Sequence, residues 1–383
     1  MDEKVWQKKL TELRRELHKI PELGFKEFKT QKFVISYLKN IGLNPSPVAQ
    51  TGVVALIEGQ LPGPCVALRA DMDALPINEE TNQNYSSLHQ GVMHACGHDG
   101  HMAILLATAA YLVKEKGKIK GSIKLIFQPS EEGYGGGAIP MIKEGVLLNP
   151  KVDRIYGLHI WNQLNIGEIG IKEESTMGAT CEVTLKIKGK SGHAASPHEA
   201  IDSVVVASSV VMNLQTIISR MTSPLESGII TFGTINGGTV CNAIAKEVTL
   251  TGTIRSATTV GRDKIKRQLE EMTKAITSSF GASYELEMLD GYNALINDTE
   301  TTKQVIATIK ENFPELKIIP FQTLAAEDFS FFADQVPACY FFIGSKNEGA
   351  NLVAPHHHPK FDFDEKALIT GMNIFLNLVL KNG

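Results

Sequence analysis

Five cysteines in 383 residues, spread from Cys65 to Cys339 without a C-x-x-C pair, exclude a disulfide framework and a zinc ribbon. So sparse and odd a set suits a reducing compartment and predicts a cytoplasmic protein. Basic excess is missing as well. The 38 Lys and Arg stand against 42 Asp and Glu, a formal charge of −4, so no nucleic-acid partner is expected. The longest apolar stretches, such as Ala103 to Val113, are too short and punctuated to span a bilayer, and no membrane partner is expected. The charged start Met1-Asp2-Glu3-Lys4 lacks the apolar core of a secretory leader. Hydrophobic residues make up 43%, too many for a disordered chain.

What is present reads as α/β. Leu10, Leu13, Leu17 and Ile20 recur at helical spacing over 4–20, and Phe28 to Ile41 follows as a second helix. Short apolar runs at 53–59, 65–70, 122–127, 154–160 and 338–344 read as strands, alternating with helices at 101–115, 139–144, 301–313 and 367–380. That alternation predicts an open, mostly parallel sheet with helices on both faces. Between about 178 and 290 the style changes. Cys181 to Lys188 alternates apolar with polar residues, and the order β-α-β-β-α-β matches a ferredoxin-like α+β unit. The expected organisation is a domain of 1–177 plus 291–383, interrupted by a smaller domain at 178–290.

Potential metal ligands fall just after predicted strands, where open α/β sheets place their ligand crevice. They are Asp71 and Asp73, Glu131 and Glu132, His159, and the tract His356-His357-His358. The densest stretch is His94-Ala95-Cys96-Gly97-His98-Asp99-Gly100-His101. An extended backbone there would point Cys96 and His98 the same way, and the helix behind them would favour a thiolate. Adjacent Glu131 and Glu132 allow a division of labour between one ligand and one general base, the pair that metal-assisted hydrolysis needs. Read alone, they also suit a solvated acidic turn. Asp71-Met72-Asp73 is a candidate to supply a carboxylate that orients a ligand histidine, with a loop cap as the alternative. In the smaller domain His193, Asn242 and Arg255 could hold an oxyanion and a substrate carboxylate. Gly133-Tyr134-Gly135-Gly136-Gly137-Ala138, with Asp153 twenty residues on, imitates a dinucleotide fingerprint. Glu131 and Glu132 beside it would repel a pyrophosphate.

Together, Arg69-Ala70-Asp71-Met72-Asp73-Ala74-Leu75-Pro76, the His94–His101 stretch, Gln128-Pro129-Ser130-Glu131-Glu132-Gly133, Gly192-His193-Ala194-Ala195 and His357-His358-Pro359-Lys360-Phe361 resemble the M20 metallopeptidase family. The likeness covers nearly the whole chain and looks strongest to the branch of N-acyl-amino-acid amidohydrolases, which includes hippurate hydrolase, N-acetyldiaminopimelate deacetylase and auxin-conjugate hydrolase. It implies two divalent ions, manganese or zinc with nickel or cobalt as options, held by Cys96, His98, Glu132, His159 and His357, with Cys96 bridging. It implies Glu131 as the general base and selects His357 over His356 and His358. Peptidase branches carry H-x-D where this chain has Asp71-Met72-Asp73, so the resemblance implies Asp73 as the motif's catalytic aspartate and leaves Asp71 unassigned as a ligand. The resemblance further implies a homodimer through the smaller domain, with His193 reaching the partner's site. The implied reaction is hydrolysis of the amide of an N-acyl amino acid. A di- or aminopeptidase of the same fold, and a non-catalytic metal-binding module, are the alternatives.

Overall fold

The computed structural model describes residues 2–133 and 135–381; Tyr134 of the dinucleotide-like stretch lies outside the described residues. Asp2 caps the first helix, Glu3–His18, by accepting from the N–H groups of Lys4 and Val5, and Leu10, Leu13 and Leu17 form its buried face. The helix stops short of Ile20 because Pro21 cannot continue it.

Two compact units result. The first comprises residues 1–176, 296–322 and 328–383. Its eight-stranded sheet has the spatial order Ser46–Val48, Gly52–Glu58, Lys120–Gln128, Leu61–Asp71, Arg154–Asn165, Ala338–Lys346, Glu168–Gly170, Lys317–Ile319. The four central strands run parallel. They are buried almost continuously toward their carboxyl ends, which is why they read as unbroken apolar runs. The three-residue strands escaped sequence reading because they are too short to show a period. The His98–Lys114 helix is apolar on all sides and packs into the core of this unit.

The second unit comprises residues 177–295 with 323–327. Its antiparallel sheet has the order Gly228–Gly237, Glu247–Ser256, Ala179–Lys188, Ser283–Asp290. The helices Ser203–Thr216 and Thr259–Ser279 contribute to the same core, giving the ferredoxin-like arrangement. The helical segment Ser203–Met221 is 19 residues long and apolar enough, by length and composition, to cross a membrane. Its interspersed Ser, Asn, Gln and Thr hid the run in sequence. The apolarity serves the core, because Val206, Ala207, Val210, Leu214 and Ile217 are packed into the interior of this unit.

Candidate metal centre

Parallel neighbours bring their carboxyl ends together. In register, Asp71 lies beside Gln128 and His159 beside Phe342, so the loops that follow converge on one edge of the first unit's sheet. Cys96 and His98 arrive differently from the extended arrangement expected. Gly97 turns the chain at φ 88°, and His98 is already the first residue of its helix. A glycine is needed there because the left-handed region is costly for other residues.

Six side chains converge. Cys96 Sγ lies 3.5 Å from His159 Nε2, His357 Nε2 lies 3.1 Å from Glu132 Oε1, and His98 Nε2 lies 4.0 Å from Glu131 Oε2. Ligand atoms of Cys96, His98 and His159 fall within 4.8 Å of one another. So do those of Cys96, Glu132 and His357, and those of His98, Glu131 and Glu132. Cys96 is therefore common to two of three overlapping groups.

Backbone carbonyls set the tautomers. His98 Nδ1 donates to the carbonyl of Asp73 at 2.9 Å and His159 Nδ1 to that of Ile160 at 2.7 Å, so each ring turns its Nε2 toward the cluster. His98 Nε2 is buried and has no hydrogen-bond partner. Asp73 serves twice, since its Oδ1 and Oδ2 accept the backbone N–H groups of Glu131 and Glu132, each at 2.9 Å. Ser130, just before them, sits at φ 51°, a strain of ~1–2 kcal/mol. Glu27 Oε1 holds it by accepting the Ser130 N–H at 2.8 Å.

The charge balance calls for a cation. Burial alone would lower the His98 imidazole, but Asp71, Asp73 and Glu132 outweigh it and hold it up to about 10. Burial, reinforced by Glu132 and Glu131, pushes the Cys96 thiol well above its ordinary value, overriding any helix-dipole preference for thiolate. Burial and the neighbouring histidines keep His159 neutral. Carboxylates crowded around a thiol and two imidazole Nε2 atoms, with protons on Cys96 and His98 taking up the excess negative charge, match a site for divalent ions.

The dense motif divides by direction. Only Cys96 and His98 face the cluster. Asp99 turns away, and its Oδ2 accepts from Arg14 Nε and His18 Nδ1, both at 2.7 Å. His94 is fully buried, and desolvation drives it down to about 3. His101 Nε2 accepts the Ile160 N–H at 2.9 Å, so its Nδ1 is the donor to Asp71 Oδ1 at 2.7 Å and neither nitrogen is spare. Asp71 spends its other oxygen on Arg69 Nη1 at 2.6 Å. Within the tract, His357 faces Glu132, His356 Nε2 donates to the Ile160 carbonyl at 2.8 Å, and His358 Nδ1 accepts the Lys360 N–H.

The dinucleotide imitation fails on geometry. Asp328 Oδ2 accepts the N–H of Ala138 at 3.0 Å, so a carboxylate stands at the start of that six-residue helix, and a Cβ at Gly136 would run into Asp328. Asp328 and Arg69, joined at 3.1 Å and both bonded to Gln128, were missed in sequence as support for the site. Asp328 carried no local signal, being 200 residues from Gln128.

His193, Asn242 and Arg255 belong to the second unit. His193 pairs with Ala243 across a two-stranded ribbon, which brings Asn242 alongside it. Its Nδ1 accepts the Ala195 N–H at 3.0 Å, which leaves the proton on Nε2. Arg255 is half-buried, with Nη1 donating to the Leu324 carbonyl.

Known proteins share this architecture. N-acetyl-L-cysteine deacetylase of Bacillus subtilis (strain 168) is 39% identical over 365 residues, covering 95% of this chain and 85% of the relative. Thermostable carboxypeptidase 1 of Saccharolobus solfataricus is 38% identical over 366 residues, covering 94% and 92%. The crystal structure of the Bacillus subtilis YXEP protein, described as a dinuclear metal binding peptidase from the M20 family, superposes with a TM-score of 0.86 at 30% identity, covering 98% of each chain. Residues 67–381 match peptidase family M20/M25/M40, and the chain belongs to that family.

Proposed function

We propose that this protein hydrolyses the amide bond of N-acyl amino acids, releasing a carboxylic acid and a free amino acid. The observation that carries the reading is the Asp73 grip on the N–H groups of both Glu131 and Glu132, which fixes two adjacent carboxylates for different tasks. A passive metal site has no use for the second carboxylate, which argues against a non-catalytic module.

Cys96, His98, His159, Glu132 and His357 would hold two divalent ions, manganese or zinc with nickel or cobalt as options, and Cys96 would be shared. Bound there, the ions would supply Lewis acidity that polarises the amide carbonyl and eases deprotonation of water. Glu131 takes the proton from the attacking water and returns it to the leaving amine, acting first as base and then as acid. His193 Nε2 donates to the oxyanion, delivered from the partner subunit of a homodimer. Arg255 and Asn242 grip the substrate carboxylate.

The deacetylase and carboxypeptidase relatives act, by name, on amides whose nitrogen belongs to an amino acid. A peptide bond to a C-terminal residue is therefore the second reading. Homodimerisation through the second unit is supported by its uncharged edge strand Gly228–Gly237 and by exposed Val205, Met212 and Ile235. Five free cysteines support a cytoplasmic setting.

The test is to strip metal, restore manganese or zinc, and assay N-acetyl-, N-benzoyl- and N-lauroyl-amino acids beside unblocked dipeptides. Metal-restored cleavage of an acylated member with the dipeptides intact is the expected result. Cleavage of the dipeptides alone moves the assignment to the peptidase reading, and no cleavage despite bound metal defeats both.

A further inference from the structure

His356 has no place in the reaction above, yet it is among the most constrained side chains near the cluster. Its ring stacks on Trp161 at 4.5 Å and 27°, and Phe361 lies against it at 4.8 Å. Its Nε2 lies 2.8 Å from the Ile160 carbonyl, which can only accept, so Nε2 carries the proton. That same carbonyl accepts Nδ1–H of His159 at 2.7 Å, the bond that leaves the other His159 nitrogen bare toward Cys96. The N–H of Ile160 is spent on His101 Nε2. The two peptide groups that flank the Ile160 Cα therefore gather three histidines, two of them on the one carbonyl, and neither group can turn without losing a hydrogen bond to a histidine.

The next residue is His357, which stands at φ 64°. A non-glycine residue held there needs external ties. Its own N–H bonds to the Ala95 carbonyl at 2.9 Å, one residue before Cys96. The second tie is the anchored ring of His356.

We infer that His356 is a positioning residue of the metal centre, joining the loop that presents His357 to the peptide that orients His159. The inference rests on the proposed metal-dependent function. The protonated Nε2 of His356 is committed to Ile160 and cannot ligate an ion, and the ring belongs to none of the ligand groups of the cluster. Its effect is to lower the freedom of two ligands at once, so that ion binding orders less chain.

The experiment uses the full chain stripped of metal and titrated with Mn2+ by calorimetry, comparing wild type with His356→Phe and His356→Gln. Phenylalanine keeps the stacking on Trp161 and Phe361 but lacks the donor. Glutamine can place an amide N–H near the same carbonyl. The expected result is a loss of about 10- to 100-fold in affinity for at least one ion in His356→Phe. The apo melting temperature stays within a few degrees of wild type, and His356→Gln recovers most of the affinity. Equal Mn2+ binding by wild type and His356→Phe overturns the inference. So does an affinity loss that glutamine does not restore, or one accompanied by a comparable collapse in apo stability, because either makes the role mere packing. Failure of wild type itself to bind Mn2+ or Zn2+ instead overturns the proposed function, and the two failures are thereby told apart.

Discussion

Asp73 reaches Glu131 through the backbone and not through its side chain: its Oδ1 accepts the Glu131 N–H at 2.9 Å, while Oδ2 accepts the neighbouring N–H of Glu132. Replacing Asp73 by Asn puts an NH2 group against one of those N–H donors. The expected outcome is a fall in kcat of about 10- to 100-fold with a smaller change in KM, since what is lost is the aim of a base and a ligand. Steady-state kinetics at saturating metal check this. An unchanged kcat refutes the grip.

Glu131→Ala removes the proposed base itself. Turnover on an N-acyl amino acid should drop about 10^2- to 10^4-fold, with both ions still bound. Calorimetric metal titration beside the kinetic assay separates the two properties. A variant that lost the ions instead would make Glu131 a ligand.

Glu27 gives a stability signal with a defined sign. Burial, aided by the Asp73 charge, raises it from the ordinary 4.5 to about 7, against hydrogen bonds from Thr51 and Ser130. Between those two values the folded protein keeps a proton that the unfolded chain releases. Its contribution is therefore fully present below about pH 4.5 and is lost as pH rises toward 7, by at most ~1.4 kcal/mol per pH unit. Glu27→Gln imitates the protonated form. Urea unfolding across pH 5 to 7.5 should show a shallower decline for the variant, and parallel curves would refute the assignment.

Arg14 is wholly buried and faces Asp99 at 2.7 Å and Asp362 at 2.8 Å. Arg14→Met leaves Asp99 with His18 as its remaining charged partner and Asp362 with the Tyr85 hydroxyl, which should cost ~3–5 kcal/mol of stability. The measurement is denaturant unfolding, and a loss under 1 kcal/mol would show that water or His18 replaces the guanidinium.

Ile235 and Met212 are exposed on the second unit, at the apolar face proposed for dimerisation. Ile235→Lys with Met212→Lys should convert a dimer to monomer in analytical ultracentrifugation and depress activity, because His193 is then withdrawn from its partner. A wild-type monomer with full activity would dispose of both claims.

Local pattern carried much of this protein. Strands such as Arg154–Asn165 and Ala338–Lys346 announce themselves because burial on both faces demands unbroken apolar runs, and the alternation of Ala179–Lys188 reveals a sheet with one wet face. Ligand candidates were visible because chemistry restricts them to a few residue types just past those strands. Direction was not visible. In the His94–His101 stretch, Cys96 and His98 face the cluster while Asp99 meets Arg14 and His101 meets Asp71, although all four share one motif. A turn at Gly97 and the first turn of a helix decide which way each side chain points, and neighbours in sequence diverge there. The partners that settle the outcome, Ile160 for His159 and His356, Asp73 for Glu131 and Glu132, and Asp328 for Gln128, are mostly supplied by distant segments. Spacing can nominate a ligand such as His98, but the carbonyl of Asp73, from another segment, decides which ring nitrogen turns to the cluster, and only the folded chain brings that carbonyl into reach.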